Sequence, residues 1–538
     1  MTPRLLYPDR DFDWRWALQA ATVRAGLRAG HHTAPPPGFD PSAGLPPNVD
    51  DLVQDLGLLP LLEAMAGEDD LVFEVSRRLL LEGTSADPAV VAHRQAVLAD
   101  CLDNPDAVLE LYGVSLEAAD KLKGRYLGVL ARYPDWVLRE SVGTLAALLG
   151  SLRRLKSAAD RHAPRFHSEG WRRLFAALHR DLEDSYLGEM QHHLDALRLP
   201  HGHLWSARLG PANKPTDLLL HPPPEGPRSW LERWKAWFRR GQHAYTFELS
   251  PRDEAGVKAL EALRDRALAS AATAVGQAAD HVRDFFSCLR AELAFYVGGL
   301  RLHTQLRRRG FPTCLPSVHP AGYNLSARGL YDPVLALATD RTVVPNDLEA
   351  NGKRLVLITG PNSGGKTTFL RSVGIAWLMA QAGLFVPAQS FAVSVCDGVL
   401  THFKREEDPR LESGKFVEEL RRMRTLVDLA TARSVFLCNE SFSATHEREG
   451  SEIACQVLDA LTEAGVRVFF VTHFFELADR FRARRSGSVL FLRAERDAQG
   501  RRTYRMVEAE PLPTSHAEDV YQRVFGTGAV SGVSARSG

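Results

Sequence analysis

The sequence predicts a mixed fold, an N-terminal all-α region followed by an α/β domain. Three observations predict it. Apolar residues recur three and four apart from Val49 to about His193 and again over Val257–Arg309, the period of helices with one buried face. From Gly329 onward the period changes to short apolar runs alternating with helical stretches, the pattern of a doubly wound sheet. Within that second part, Leu355–Leu370 reads LVLITGPNSGGKTTFL, a strand, a glycine-rich turn and the opening of a helix. The expected organisation is therefore an N-terminal helix and linker over 1–48, a helical region over 49–328 and an α/β domain over 329–538.

Taken in order, Phe12–Ala29 is a candidate amphipathic helix rich in Ala and Arg, and residues 34–47 (APPPGFDPSAGLPP) can only be an extended break. Asp87-Pro88 marks a helix start, with proline near the first helical position. Residues 194–227 are dense in proline and read as irregular, with one short strand at Leu218–Leu220. Helix resumes at about Ser229. The run Gly310–Asn324 (GFPTCLPSVHPAGYN) closes the helical region. Beyond Arg480 a hairpin is expected from Ser488–Leu492 and Tyr504–Glu508 around DAQG, then a short helix at Ala517–Phe525.

Basic and acidic residues balance at 66 each in 538 residues, so no global field marks a nucleic-acid binder, and any such contact must come from a local patch. The six cysteines are scattered without a CxxC pair, which fits reduced thiols in a cytoplasmic protein and excludes a zinc ribbon. No hydrophobic leader opens the chain, and the longest mainly apolar run, Val373–Ala388, is too short to span a bilayer. His192, His193, His201 and His203 cluster, but without a carboxylate or cysteine in a ligand pattern a solvated helix end is the better reading. Trp230, Trp234 and Trp237 recur at helical spacing among Arg and Lys; such a stripe is more often core, although it could stack on bases.

The glycine-rich turn carries the chemistry. Gly360 to Thr367 spells G-x-x-x-x-G-K-T between a strand and a helix, the context in which that pattern binds phosphate. Gly360, Gly364 and Gly365 let the backbone turn its N–H groups inward around Pro361, Asn362 and Ser363, and the positive end of the helix dipole points at the same spot. Lys366 can reach β- and γ-phosphates, Thr367 can take a Mg²⁺ site, and Thr368 follows on the first helical turn. Downstream, Ser434–Glu440 is an apolar strand delivering Asn439 and Glu440 to the edge where ligands sit in such sheets. Glu440 is the candidate general base or water positioner. Asn439 stands where an aspartate would normally help hold Mg²⁺, and its amide carries no charge. A further strand, Val466–Val471, ends in Thr472-His473, where a histidine can sense a γ-phosphate. ATP and Mg²⁺ are the implied ligands.

On these motifs, and on the run VVPNDLEANGKRLVLITGPNSGGKTTFLRSVGIAWLMAQAGLFVPAQ, the stretch from Tyr331 to about Arg480 resembles the ATPase domain of MutS-type DNA mismatch repair proteins. DPAVVAHRQAVLADCL and the long helices to Arg309 resemble the family's helical core and lever more weakly. The resemblance implies an ABC-type ATPase that dimerises and binds DNA. It would place Asn346 against adenine, Glu440 as the catalytic carboxylate and His473 as the switch histidine. It also implies a segment that completes the partner subunit's site, here Leu411–Phe416, in which Gly414 occupies the family's serine position between Ser413 and Lys415. Ser413 or Lys415 is expected to make that contact.

Departures from the family pattern shape the expected function. No glycine- and aromatic-rich segment with a Phe-x-Glu wedge precedes the helical region, and no nuclease-type extension is expected at the end. The expectation is a homodimeric clamp on mismatched, branched or otherwise distorted DNA, with repair proteins as further partners and no membrane contact. The alternative is an ATP-binding switch with weak hydrolysis that docks proteins instead of DNA. An ABC transporter ATPase is excluded because no LSGGQ-like signature is visible and the helical arms are too extensive.

Overall fold

A helical N-terminal region is followed by mixed α/β sheets in the computed structural model. The structure describes residues 2–30, 37–82, 87–123, 133–198, 204–209, 215–221, 254–339, 342–361, 363–405 and 414–512. The expected helix at Ala517–Phe525, the tryptophan stripe, Asn362, Ser413, His201 and His203 lie outside them.

The helices of the N-terminal part are α1 (Trp14–Arg28), α2 (Val49–Leu56), α3 (Leu59–Ala66), α4 (Asp70–Leu81), α5 (Pro88–Asp103), α6 (Pro105–Lys121), α7 (Pro134–His162), α8 (Glu169–Asp181) and α9 (Asp184–Leu197). Asp87 caps α5 by accepting from the Ala89 N–H, with Pro88 at the first helical position. Where one short strand was expected, two pair antiparallel, β1 (Leu204–Leu209) and β2 (Pro215–His221). The proline at the start of β2 needs no ladder donor there. Helix α10 runs unbroken over Glu254–Arg308. Then come β3 (Ser317–His319), β4 (Leu325–Leu330), α11 (Pro333–Ala338), β5 (Asn346–Glu349), β6 (Leu355–Thr359), α12 (Lys366–Ala382), β7 (Ser390–Ser394), β8 (Val399–Phe403), α13 (Lys415–Leu429), β9 (Val435–Asn439), α14 (Glu447–Glu463), β10 (Arg467–Val471), α15 (Phe475–Ala483), β11 (Val489–Arg496) and β12 (Arg502–Glu508).

The chain divides into two compact units. One comprises Met1–Pro3, Asp106–His167 and Trp171–Arg290, and its described elements are helices and the β1–β2 pair. Within it Phe166, Trp171 and Phe175 form an aromatic cluster: Trp171 stacks on Phe175, and Phe166 meets Trp171 at a tilt with ring centroids 4.5 Å apart and Phe175 edge-on. His192 and His193 are exposed on α9, and no cluster of metal-ligating side chains occurs among the described residues.

The other unit comprises Arg4–Pro105, Ser168–Gly170 and Ala291–Gly538. Its larger sheet has the order β12-β11-β6-β10-β9-β8, parallel except for the β11–β12 hairpin. The strands β6, β9 and β10 are continuous apolar runs because both faces of the sheet are covered. A smaller mixed sheet, β3-β7-β4-β5, was not expected from the sequence. The unit boundaries also differ from those expected at 49 and 329, because α1–α5 belong with the sheets. The reason lies in α12, which is buried on nearly every face. One side packs on β9 and β10, and the other is covered by α2, α4 and α5. Gly374, mid-helix, shows how tight this is: a Cβ there would meet Leu437 of β9 at 2.7 Å and Leu56 of α2 at 2.8 Å.

The segment from Arg4 is pinned into the same unit. Leu5 and Leu6 are fully buried, and their N–H groups both donate to Glu292 Oε2 of α10. Tyr296 donates its hydroxyl to the Leu5 carbonyl at 2.6 Å, and Arg94 donates Nε to the Leu6 carbonyl at 2.9 Å. Burial pushes the Glu292 carboxyl up from 4.5 to about 7. Below the unfolded value both states hold the proton; between the two values only the folded state does, so stability is lost as pH rises to about 7. Roughly 3 kcal/mol is at stake as an upper figure. Thermal unfolding at pH 5 and pH 8 should therefore show a smaller drop for Glu292→Gln than for the wild type, and equal drops would refute this assignment. Among the described residues no helix is long and apolar enough to cross a membrane.

Candidate functional site

Strand β6 delivers the chain to Gly360, whose φ of 122° only glycine adopts without strain. A Cβ at Gly360 would also meet Ala494 of β11 at 2.9 Å, so the neighbouring strand requires the glycine as well. Ser363 (φ 58°) and Gly365 (φ 91°) continue the turn, and Gly365 is the N-cap of α12. The N–H groups of the first helical turn have no intrahelical acceptor and carry the positive end of the dipole. Lys366 is buried, and its Nζ donates to the carbonyls of Gly360 and Pro361 at 2.9 Å each. Burial lowers the pKa of this ammonium, against the opposing field of Glu440. A cation held by two loop carbonyls can exchange them for the oxygens of a bound anion.

Parallel strand β9 ends alongside. Asn439 is buried and its Oδ1 accepts from the Thr367 hydroxyl at 3.1 Å, which places two hard oxygen donors together. Glu440 follows in the left-handed region (φ 54°), its N–H donating to the Val471 carbonyl of β10 at 2.9 Å. His473, just past β10, keeps solvent contact at its surface, yet its flanking groups desolvate the ring enough to lower its pKa. Glu440 and Glu447 oppose that shift, so the imidazole shares the field of Glu440 and Lys366.

These elements border a cavity of about 600 Å³. Asn346, Ser363, Gly364, Gly365, Lys366, Thr367, Thr368 and Glu440 line it together. Gly360, Pro361, Asn439 and His473 are not among its lining residues; the first two hold Lys366 and Asn439 holds Thr367. Gly414 and Lys415 do not line it either: Gly414 is the N-cap of α13 and Lys415 its first residue. Asn346 faces the cavity while bonded to the C-terminal hairpin, accepting from the Met506 N–H at 2.6 Å.

Several lining residues escaped the sequence reading. Tyr331, Leu335, Val343 and Val344 add an apolar wall, and Arg502 and Tyr504 come from the hairpin strand β12. Arg502 has a buried Nε with no partner among the described residues. Tyr504 carries a positive φ of 62° and abuts Gly365, to which a Cβ would approach the Tyr504 ring at 3.6 Å. The hairpin itself was legible around DAQG, but its position over the glycine-rich loop depends on β11 pairing with β6, a contact no local motif encodes. A cavity with backbone N–H donors and a lysine, a carboxylate and an apolar wall can hold a nucleotide with its phosphates on the loop.

Comparison with known proteins adds the following. Residues 86–309 match the family model described as the MutS2 N-terminal domain, and residues 356–522 match MutS domain V. The DNA mismatch repair protein MutS of Desulforamulus reducens is 40% identical over 139 residues, 25% of this chain and 16% of the relative. That of Thermotoga maritima is 36% identical over 155 residues, 29% of this chain and 20% of the relative. That of Thermus aquaticus is 35% identical over 199 residues, 37% of this chain and 24% of the relative. The chain thus matches about a quarter or less of the length of these curated relatives.

Proposed function

We propose, from the premise that the chain belongs to the MutS family, that it is an ATP-dependent DNA-binding protein of that type. In this reading residues 329–538 form an ABC-type P-loop ATPase domain, and the long helices within 49–328 act as core and levers. Two copies form a clamp on mismatched, branched or otherwise distorted DNA, in repair or recombination and with repair-protein partners. Distorted DNA suits the chain because shape can be read without base contacts. The observation that carries the proposal is the single cavity where the loop N–H groups, Lys366, Thr367 and Glu440 converge.

The residue roles follow from that convergence. The loop from Gly360 to Thr367 cradles the phosphates, with Thr368 on the same turn. Lys366 leaves its two carbonyls for β- and γ-phosphate oxygens. Asn346, Tyr331 and Val343 lie on the side available to the base. Thr367 and Asn439 are neutral oxygen donors 3.1 Å apart, a donor set that fits Mg²⁺ with retained waters. When bound, Mg²⁺ would neutralise charge on the β- and γ-phosphates. Glu440 orients and deprotonates the attacking water, and His473 senses the γ-phosphate through Glu440's field. Ser413 or Lys415, beside Gly414, reaches the partner subunit's nucleotide.

Asn439 favours a second reading. With an amide in place of a carboxylate, Mg²⁺ is held less firmly, and the protein would be an ATP-held switch that docks proteins. One experiment separates the two. Mg²⁺-dependent ATP turnover is measured without DNA and with duplex, mismatched and branched DNA at stated low salt, for the wild type, Asn439→Asp, and Ser413→Ala with Lys415→Ala. Turnover that responds to one DNA form and falls in the double variant supports the clamp. Tight ATP binding without turnover, restored by Asn439→Asp, supports the switch, and failure to bind ATP refutes both.

A further inference from the structure

The residues that follow Glu440 are held by a buried polar network that the P-loop motifs do not include. Glu440 and Phe442 both occupy the left-handed region, with φ of 54° and 65°. Neither is glycine, so the surroundings must hold them there. Two side chains do so. Glu419 of α13 accepts the Phe442 N–H on Oε1 at 2.7 Å. His402 of β8 sits with Nδ1 2.7 Å from the Ser441 hydroxyl and Nε2 3.2 Å from the Glu419 carbonyl. That carbonyl can only accept, so Nε2 carries the proton and Nδ1 accepts from Ser441. All four side chains are buried, His402 and Phe442 completely. The ring is neutral, because burial and the nearby Arg422 push its pKa down to about 4.

The geometry points to Glu419 as a positioning residue: through Phe442 N–H, and with His402 through Ser441, it ties the loop after Glu440 to helix α13. This rests on the reading of Glu440 as the catalytic carboxylate. The consequence is selective. Nucleotide contacts come from the glycine-rich loop, Asn346 and β12, none of which hydrogen-bonds to this network among the described residues, so its loss misplaces Glu440 without weakening ATP binding. Helix α13 begins at Lys415, within the segment proposed to face a partner subunit, so a shift of α13 would be felt at Glu440.

The test uses the full chain with MgATP, measuring kcat by phosphate release and Kd by titration with a fluorescent ATP analogue. Glu419→Ala is expected to lower kcat at least ten-fold with Kd within two-fold of wild type. Glu419→Gln, which keeps an acceptor for the Phe442 N–H, is expected to recover kcat to within about three-fold. If Glu419→Ala does not fold, Ser441→Ala supplies the same kcat-selective test through the His402 contact. A Glu419→Ala kcat within two-fold of wild type, a parallel loss of Kd, or a Glu419→Gln variant as slow as Glu419→Ala overturns the proposal. A wild type that binds ATP but never turns it over removes Glu440's role, and this proposal falls with it. Turnover that persists in Glu419→Ala removes the proposal alone.

Discussion

Glu440→Gln is expected to reduce Mg²⁺-dependent ATP turnover by roughly 100- to 10,000-fold while leaving ATP affinity nearly unchanged. The substitution keeps the size of the side chain and a hydrogen-bonding oxygen, and an amide tolerates the left-handed backbone at φ 54° about as well as a carboxylate. What disappears is the negative charge that could take a proton from water. That charge also acts on its neighbours: it raises the pKa of Lys366 and of His473 against the lowering effect of burial at each. In Glu440→Gln both cations are therefore less favoured, and His473 stays neutral to lower pH. The check is steady-state phosphate release together with a nucleotide titration. Turnover equal to wild type would remove Glu440 from the reaction.

The parts of this site that sequence makes legible are those encoded within a few residues. The glycine-rich loop is flanked by an apolar strand and a helix, so its context is local, and the strand at Leu355–Thr359 and helix at Lys366–Ala382 lie within a residue or so of where the pattern puts them. The same holds for α5 behind its Asp87-Pro88 start, for α10, and for the β11–β12 hairpin. Long-range pairing is where local reading fails. The smaller sheet joins Leu325–Leu330 to Ser390–Ser394 and Asn346–Glu349, segments too short for a period to declare itself. The grouping of α1–α5 with the sheets depends on an outer face of α12 that α2, α4 and α5 cover, with α1 and α3 packed on α4, and a buried helix shows no polar side to betray its orientation. Tyr331, Arg502 and Tyr504 reach the cavity through that same long-range assembly, and no residue-type pattern around them marks a ligand.

Arg467 illustrates the second way a sequence conceals its structure, a charged residue acting as a core strut. It opens β10, is only 3% exposed, and donates Nε to the Lys353 carbonyl at 2.9 Å and Nη1 to Asn324 at 3.3 Å. Its Nη2 donates to Tyr323 at 2.7 Å and to Ala350 at 2.6 Å. Those carbonyls belong to the segments entering β4 and linking β5 to β6, so one guanidinium fastens the smaller sheet to the larger. The Tyr323 and Trp377 rings lie 5.7 Å from it, adding cation–π attraction. Burial lowers its pKa to about 10, which leaves it charged at neutral pH. Arg467→Ala would leave the Lys353 carbonyl without its donor and take the second of two donors from the Tyr323, Asn324 and Ala350 carbonyls, beside a cavity of about 190 Å³ that Arg467 and Trp377 already line. The expected cost is about 3–5 kcal/mol, reduced to the extent that water enters. Arg467→Lys keeps a charge but not the planar fork, since an ammonium has three donors on one point and cannot span carbonyls on separate loops. It should recover less than half of the loss. Urea unfolding of the three proteins checks this, and an Arg467→Ala variant within about 1 kcal/mol of wild type would show that the two sheets are held together by apolar packing alone.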